Sequence, residues 1–335
     1  SAVIWMPCTS ATIAKQYRMV LDKYANETSS VPEFVDWQGH DFSMRGMAGI
    51  EASVISACGH LLNFSGTDTI PAINLLENYY NANSDTELIG GSVAATEHSV
   101  MCMGTAEDEI GTFRRLICDV YPKGIVSIVS DTWDLWKVLT EYMPKLKNEI
   151  LSREGKVVLR PDSGNPVDII CGNPDGETEV ERKGVIELLW ETFGGTLNDK
   201  GYKELDSHIG AIYGDSITVN RAVQICERLK EKGFASTNVV LGIGSYTYQY
   251  NTRDTFGFAM KATYGEVNGT GRAIFKDPIT DDGTKKSAKG LMKIVLENNK
   301  YKLIDEVNWD EENQGELREI FRDALDPISL KINIG

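Results

Sequence analysis

The residues Val157-Val-Leu-Arg-Pro-Asp-Ser-Gly164 place a short apolar run directly before a cluster of Arg, Pro, Asp, Ser and Gly. A short β-branched apolar run is typical of a buried strand, as in a parallel sheet. The polar cluster marks the end of that strand and a turn into the next element. The same succession recurs along the chain, so this stretch predicts the repeating unit of the fold.

Seven such units are present, and amphipathic helices lie between the later ones. The clearest predicted helix runs from Asn220 to Gly233. Alternation of buried strands and helices predicts an α/β protein with a parallel sheet, either an irregular β/α barrel or a doubly wound open sheet. In a barrel, the loops after the strands form the active site. The seven apolar runs are Glu33–Trp37, Leu61–Phe64, Ser92–Thr96, Val126–Val129, Val157–Leu159, Ile209–Ile212 and Val239–Leu241.

After Arg253 the pattern changes to alternating β-type residues interspersed with lysines. This pattern predicts a hairpin around Asn298-Asn299 and a final amphipathic helix over about Asn313–Leu325. We therefore expect a second domain that is β-rich and of the α+β class. The predicted organisation is a helical lead-in over 1–35, the β/α barrel over 36–255 and part of the second domain over 256–335.

The composition is that of an acidic globular protein without membrane anchors. The 335 residues contain 49 acidic and 34 basic side chains, a net charge of -15, which disfavours non-specific binding to nucleic acid or anionic lipid. Six scattered cysteines without a CxxC pair predict a reducing, cytoplasmic compartment. No apolar run reaches bilayer length, and no signal-peptide pattern is present. The opening Ser1 suggests a piece of a longer polypeptide.

Ten short sequences occur in an order that resembles the nicotinamide phosphoribosyltransferases, which are type II phosphoribosyltransferases with a barrel fold. The Thr-Gly phosphate loop of the type I enzymes is absent, which agrees with that resemblance. The sequences are HDFSMRG (40–46), NFSGTDT (63–69), AATEHS (94–99), VSDTWD (129–134), LRPDSGNP (159–166), YGDS (213–216), LGIGS (241–245), TRD (252–254), MKATY (260–264) and FKDP (275–278).

The resemblance implies that Phe42 stacks on the pyridine ring and that Arg45 and Arg160 contact pyrophosphate or the substrate ring. Asp68 is expected to accept a hydrogen bond from the carboxamide NH2 and to repel a carboxylate, which favours nicotinamide over nicotinate. From the residues alone, Asp68 can also be interpreted as a turn aspartate bound by its own backbone, and Phe42 can be interpreted as a core residue. Either arginine is also readable as a member of an internal ion pair.

The resemblance also implies that His98 is phosphorylated by ATP, which drives the condensation forward. Asp131 and Asp162 are expected to bind ribose hydroxyls, or Mg2+ carried on the pyrophosphate of phosphoribosyl pyrophosphate (PRPP). The alternative readings are a structural histidine and helix-capping or turn aspartates.

The resemblance implies that further residues bind phosphate groups, and that some of them do so across a homodimer interface. The basic residues among them can also be interpreted as a solvent-exposed surface. The predicted phosphate-binding residues are Gly214, Asp215, Gly244, Ser245, Arg253, Lys261, Lys276 and Lys285.

The sequence therefore predicts transfer of a phosphoribosyl group to nicotinamide, giving nicotinamide mononucleotide and pyrophosphate. Compared with the family, the chain lacks an N-terminal third, which would complete the second domain and supply an aromatic residue from the partner subunit. Two alternatives remain open. One is a nicotinate or quinolinate phosphoribosyltransferase, and the other is a catalytically silent fragment that acts as a binding or assembly module.

Overall fold

A computed structural model describes residues 4–214, 216–275 and 287–318. The chain divides into two compact units, and the boundary between them follows Gly257. The first unit contains a seven-stranded parallel sheet, and the second contains two antiparallel hairpins. Parallel neighbours cannot be joined by tight turns, which is why helices connect most strands of the first unit.

Nine strands belong to the first unit. They are Gly39–Asp41 (β1), Gly66–Thr67 (β2), Ala94–Ala95 (β3), Lys123–Val129 (β4), Glu154–Arg160 (β5), Gly195–Leu197 (β6), Lys203–Leu205 (β7), Ile209–Tyr213 (β8) and Val239–Ile243 (β9). The main sheet has the order β2-β1-β9-β8-β5-β4-β3, and all its neighbours are parallel. Strands β6 and β7 form a separate antiparallel pair.

The two edges of the main sheet are connected through the segment that leads into β3. Gly91 pairs with Gly66 of β2, and Ala94 pairs with Val126 of β4. Two backbone hydrogen bonds hold Gly91, from its own N–H to Ser65 at 2.8 Å and from Thr67 at 3.0 Å. A doubly wound open sheet would leave these edges unpaired. The curled sheet confirms the predicted β/α barrel.

Thirteen α-helices are found among the described residues, and none is long and apolar enough to cross a bilayer. Two π-helical segments, 116–120 and 138–142, continue α6 and α7. The helices are Trp5–Thr28 (α1), Val35–Gln38 (α2), Ile50–His60 (α3), Pro71–Tyr80 (α4), His98–Met103 (α5), Glu109–Arg115 (α6), Leu135–Lys137 (α7), Met143–Leu151 (α8), Pro166–Cys171 (α9), Glu179–Phe193 (α10), Val219–Glu231 (α11), Ser245–Gln249 (α12) and Trp309–Glu312 (α13).

Helix α11 shows how local sequence sets an element. The Thr218 side chain caps its first turn by accepting from the Arg221 N–H. At the other end Gly233 has φ 76°, and the Phe234 N–H bonds to the Leu229 carbonyl, which is a Schellman motif. The four residues predicted to face the core, which are Ala222, Ile225, Cys226 and Leu229, are all buried. The predicted helix is therefore confirmed.

The helical lead-in predicted at the N-terminus contains α1, which belongs to the same compact unit as the sheet. Tyr17, Leu21 and Ala25 lie on its buried face. The Tyr17 hydroxyl donates to the Ile217 carbonyl at 2.7 Å, beyond the end of β8. Burial of a polar hydroxyl is tolerated here because that hydrogen bond satisfies it.

The second unit contains the hairpin Tyr264–Val267 (β10) with Thr270–Ala273 (β11) and the hairpin Met292–Glu297 (β12) with Lys300–Asp305 (β13). Asn298 and Asn299 have φ 51° and 58°, as a two-residue type I′ turn requires, so the predicted hairpin is confirmed.

The helix predicted from Asn313 is wrong over its described part. Helix α13 is a single turn that begins at the capping box between Asn308 and Glu311 and ends at Glu312. The Glu316 N–H then donates to the Ile294 carbonyl at 2.7 Å. Because this N–H bonds to strand β12, it is not available for a helical hydrogen bond. The rest of the predicted helix lies outside the described residues.

Glu109, the first residue of α6, is 2% exposed. Burial raises the pKa of its carboxyl from 4.5 to about 7; the charge of Lys137 opposes this rise and that of Asp134 adds to it. The folded state therefore binds this proton more tightly than the unfolded state. The resulting stabilisation is fully present below pH 4.5 and is lost as the pH rises through about 7.

We therefore expect Glu109→Gln to flatten the dependence of Tm on pH between about pH 4.5 and 8, with a higher Tm than wild type at the alkaline end. Thermal unfolding followed by circular dichroism at a series of pH values measures this. Glu141→Gln, at an exposed glutamate, is the control and should follow the wild-type curve. Parallel curves for Glu109→Gln and wild type would contradict the assignment.

Candidate active site

The side chains predicted to form the site follow strands of the barrel at one edge of the sheet. In barrel enzymes this C-terminal edge carries the active site. The register of β4 and β5 pairs Val129 with Arg160, so the loops after these strands lie side by side. The predicted residues at the strand ends are Phe42 after β1, Asp68 after β2, His98 after β3, Asp131 after β4 and Asp162 after β5.

A cavity of about 560 Å³ extends from this edge into the barrel. Lys156, Val158 and Arg160 of β5 line it on one face of the strand, which corresponds to a depth of roughly 13 Å at about 3.3 Å per residue. Phe42 and Asp68 line the cavity as well, whereas His98 lies outside the set of lining residues. The structure thus brings three of the four predicted base-binding residues, Phe42, Asp68 and Arg160, to one cavity.

Asp68 faces the cavity with 41% of its side chain exposed. Its Oδ1 accepts a hydrogen bond from the Ser92 hydroxyl at 2.6 Å and lies 2.8 Å from His40 Nε2. Burial works to raise the pKa of Asp68, but the contacts with His40, Ser92 and the charge of Arg160 outweigh it and lower the pKa. These bonds come from other segments, so Asp68 is not a turn aspartate bound by its own backbone. A charged acceptor therefore faces the cavity.

His40 and Ser92 are the site residues that sequence reasoning missed. His40 also packs against Phe42, with ring centroids 4.6 Å apart. One signal was available, because alternation along a strand places His40 and Phe42 on the same face. The pairing of Ser92 with Asp68 had no local signal, since 24 positions separate the two residues.

The Phe42 ring packs directly against Gly242 of β9, where a side chain would clash with it. A Cβ at Gly242 would lie 2.5 Å from the ring. The Arg160 guanidinium lies 5.9 Å from the ring centroid and donates from Nη2 to the Thr96 carbonyl at 2.8 Å. Burial lowers the pKa of Arg160, while the carboxylates of Asp162 and Asp68 act against that change. The cavity thus offers an aromatic face, an anion and a cation.

A second group of side chains consists of His98, Asp131 and Asp162. His98 Nε2 lies 3.2 Å from Asp131 Oδ1 and 3.5 Å from Asp162 Oδ1. Asp131 Oδ2 accepts from the backbone N–H groups of Asp162 and Ser163, each at 2.9 Å, and from the Ser163 hydroxyl. Asp131 thus fixes the loop after β5, and the N-cap residues of the adjacent helices α5, α7 and α9 are Glu97, Asp134 and Asn165 instead. The helix-capping reading of Asp131 and Asp162 is wrong.

The two carboxylates of this group have opposite pKa shifts. Burial works to raise the pKa of Asp131, but the hydrogen bonds from Ser163 and the Asp162 N–H, together with the charge of His98, lower it. Burial and the negative charge of Asp131 raise the pKa of Asp162. Asp131 is therefore held as the anion, and Asp162 takes up a proton more readily.

These residues suit a divalent cation. One ligand atom from each of His98, Asp131 and Asp162 lies within 4.8 Å of the other two. Two carboxylate oxygens suit Mg2+, which usually completes its octahedron with water and substrate phosphate, whereas an imidazole is a less usual Mg2+ ligand. The donor set fits a cation held mainly by carboxylates and by substrate.

One of the glycines predicted to hold phosphate, Gly214, lies beside this group. A Cβ at Gly214 would lie 3.5 Å from Asp162 Cβ and 3.6 Å from the Arg160 side chain. After β9, Gly244 leads into α12 at Ser245. A Cβ at Gly46 would meet Ser245 Oγ, so this loop touches the turn that contains Arg45, whose side chain is exposed.

The structure does not test the roles of the other predicted phosphate ligands. Arg253 is exposed and its Nε donates to the adjacent Asp254 at 2.9 Å. Lys261 is exposed and belongs to the second unit. Asp215, Lys276 and Lys285 lie outside the described residues. The roles of all five stay predictions.

The curled barrel is structurally similar to a type II phosphoribosyltransferase. The nicotinate-nucleotide pyrophosphorylase structure from Pyrococcus furiosus superimposes with a TM-score of 0.50 at 11% identity, over 90% of this chain and 58% of that one. This likeness concerns the fold alone.

The sequence comparisons identify the family to which the chain belongs. The profile of the nicotinate phosphoribosyltransferase (NAPRTase) family matches residues 37–324, so the chain belongs to that family. A nicotinamide phosphoribosyltransferase from Acinetobacter baylyi is 55% identical over 331 residues, which are 97% of this chain and 65% of the relative. The Mycoplasma pneumoniae enzyme of the same name is 42% identical over 86% of this chain and 60% of its own length. The chain therefore spans less than two thirds of these relatives.

We expect the group around Asp162 to bind divalent cations. Asp162→Asn should weaken Mn2+ binding roughly tenfold or more, because one of two carboxylate ligands is lost. Calorimetric titration of the purified chain with Mn2+ gives the affinity. Asp206→Asn is the matched control, since Asp206 also contacts a histidine, His208, at 2.7 Å, but outside this group. Equal affinities for Asp162→Asn and wild type would exclude Asp162 as a ligand.

Proposed function

We propose that this protein transfers the phosphoribosyl group of PRPP to nicotinamide, yielding nicotinamide mononucleotide and pyrophosphate in the salvage of NAD. The observation that carries the proposal is the Asp68 carboxylate, which faces a cavity beside an aromatic ring and has a lowered pKa. The names of the two bacterial relatives support the same activity. Because the chain covers less than two thirds of those relatives, the proposal concerns the complete protein.

The base is recognised by complementary charge and shape. The Phe42 ring offers a flat face for the pyridine, and Asp68 accepts a hydrogen bond from the carboxamide NH2. An ionised Asp68 disfavours nicotinate, because two carboxylates would face each other in a partly desolvated cavity. Arg160, whose guanidinium lies over Phe42, donates to the carboxamide oxygen or to phosphate.

The phosphoribosyl donor is placed at the group formed by His98, Asp131 and Asp162. Asp131 and Asp162 would hold the ribose hydroxyls or a Mg2+ ion, and their carboxylates stabilise positive charge at the ribosyl carbon as pyrophosphate leaves. The bound cation would neutralise charge on the leaving pyrophosphate. Arg45 contributes a further cation to the pyrophosphate. The phosphate groups are assigned to Gly214, Asp215, Gly244, Ser245, Arg253, Lys261, Lys276 and Lys285.

ATP is proposed as a coupling co-substrate that phosphorylates His98. The imidazole is 45% exposed and lies against two carboxylates, which orient it. A phosphorylated nitrogen here would face the same acidic group that binds the donor. Arg253 and the basic residues that follow it, Lys261, Lys276 and Lys285, are proposed to act across a homodimer interface. The six free cysteines support a cytoplasmic location.

Nicotinate transfer is the competing function, because the family profile carries that name. It requires a positive charge where Asp68 stands. The third possibility is a catalytically silent module, which the limited coverage of the relatives keeps open.

Asp68→Asn should lower kcat/KM for nicotinamide roughly 10- to 100-fold and reduce the preference over nicotinate, because an acceptor and a negative charge are lost. Product formation from each base with PRPP and Mg2+, separated by chromatography, measures both. Asp85→Asn, at an exposed position, is the control. A wild-type protein that prefers nicotinate would overturn the proposal, and one that binds neither base nor PRPP would be the silent module.

His98→Ala should abolish the stimulation of transfer by ATP and leave a slow transfer that is independent of ATP. The phosphoenzyme is detected as acid-labile radioactivity after incubation with γ-labelled ATP. His208→Ala removes another partly exposed histidine and should keep both the label and the stimulation. Retention of both in His98→Ala would remove His98 from the mechanism.

A further inference from the structure

Asp41, the last residue of β1, is fully buried and directly precedes Phe42, one of the two residues assigned to the base. Its Oδ2 accepts hydrogen bonds from the hydroxyls of Thr67 at 3.0 Å and Thr69 at 2.8 Å. Its Oδ1 accepts from the Ser43 N–H at 2.9 Å. One carboxylate therefore binds the residues on both sides of Asp68 and the residue that follows Phe42.

The hydrogen bonds of Asp41 begin where the strand pairing ends. Strand β2 has two residues, and its register with β1 consists of His40 with Gly66 and Asp41 with Thr67. One further backbone bond, from the Asp68 N–H to the Asp41 carbonyl at 2.9 Å, continues the ladder. So short a ladder constrains the turns beyond it weakly, and the side chain of Asp41 supplies the additional bonds.

The Asp41 carboxylate is held by neutral hydrogen-bond donors. None of the ion pairs between residues that the structure describes includes this carboxylate. Burying an ionised group is unfavourable unless hydrogen bonds satisfy it, and here three neutral donors do so. Hydrogen bonds to a charged acceptor are stronger than those to a neutral one. A charged side chain at this position thus holds two turns more firmly than an amide would.

We propose that Asp41 is a positioning residue for base recognition, which fixes the Asp68 carboxylate relative to the Phe42 ring. This proposal rests on the function proposed above, because Asp41 can position Asp68 and Phe42 for recognition only if these two residues bind one ligand. The ring and the acceptor stand on different strands, and both must meet one small planar base. A displacement of about 1 Å at such a site can cost on the order of a hundredfold in activity.

Asp41→Asn is the informative substitution. With its oxygen kept toward Ser43, the amide nitrogen replaces Oδ2, so the bonds accepted from Thr67 and Thr69 are lost while the shape is retained. Thr69→Val removes one donor at constant volume, and Thr69→Ser keeps that donor. Asp206→Asn is the matched control, because Asp206 accepts the His208 N–H in a turn before β8.

The experiment measures KM for nicotinamide, KM for PRPP and kcat. It uses the complete protein, as wild type and as each variant. Asp41→Asn should raise KM for nicotinamide about 10- to 100-fold, with KM for PRPP changed less than about threefold. Thr69→Val should show a smaller rise, Thr69→Ser should restore wild-type behaviour, and Asp206→Asn should match wild type.

A purely structural role predicts a different result. Loss of folded protein lowers the active fraction and therefore the apparent kcat, but it leaves KM unchanged. An unchanged KM for nicotinamide in Asp41→Asn, or equal increases for both substrates, would overturn the positioning role. If Asp41→Asn is too unstable to assay, the contrast between Thr69→Val and Thr69→Ser decides in the same way. If wild type neither binds nor converts nicotinamide, the proposed function fails, and this inference fails with it.

Discussion

Parallel strand pairing is the constraint on which the rest of the structure depends. It brings the C-terminal ends of separate strands to one edge, where residues far apart in sequence become neighbours. Asp131 and Asp162 are adjacent because Val129 pairs with Arg160, and the loop after β5 then donates its N–H groups to Asp131.

The edge of the barrel separates two chemical environments. On one side a cavity combines the aromatic face of Phe42 with the carboxylate of Asp68, and on the other His98 lies against two aspartates. Arg160 stands between them, over the Phe42 ring and influenced by both Asp68 and Asp162. An acidic protein thus places a cation between its two groups of site residues, where the substrates of the proposed reaction would meet.

The carboxylates of the site differ in protonation because their surroundings differ. Hydrogen-bond donors hold the pKa of Asp68 and Asp131 low, whereas Asp162, buried beside another carboxylate, has a raised pKa. Two carboxyl groups whose pKa values are driven apart are suited to different tasks, one as a permanent anion and one as a group that exchanges a proton or a cation. The distinction arises from backbone N–H groups as much as from side chains.

The sequence by itself determined the later strands, because the runs Val126–Val129, Val157–Leu159, Ile209–Ile212 and Val239–Leu241 lie within β4, β5, β8 and β9, and because period, capping residues and turn residues act within a few positions. The runs Glu33–Trp37 and Leu61–Phe64 were wrong as strands, since 35–38 is helix α2 and the strands β1 and β2 follow at Gly39–Asp41 and Gly66–Thr67. The local pattern left a barrel and a doubly wound open sheet open, and the family resemblance favoured the barrel. Helix α11 and the turn at Asn298-Asn299 are such local features. Only the tertiary structure decided that β9 lies beside β1, that His40 and Ser92 bind Asp68, and that Asp41 holds the threonines on both sides of it. Those contacts depend on which strands become neighbours, and the free energy of that choice comes from burying the whole core, so no local pattern records it.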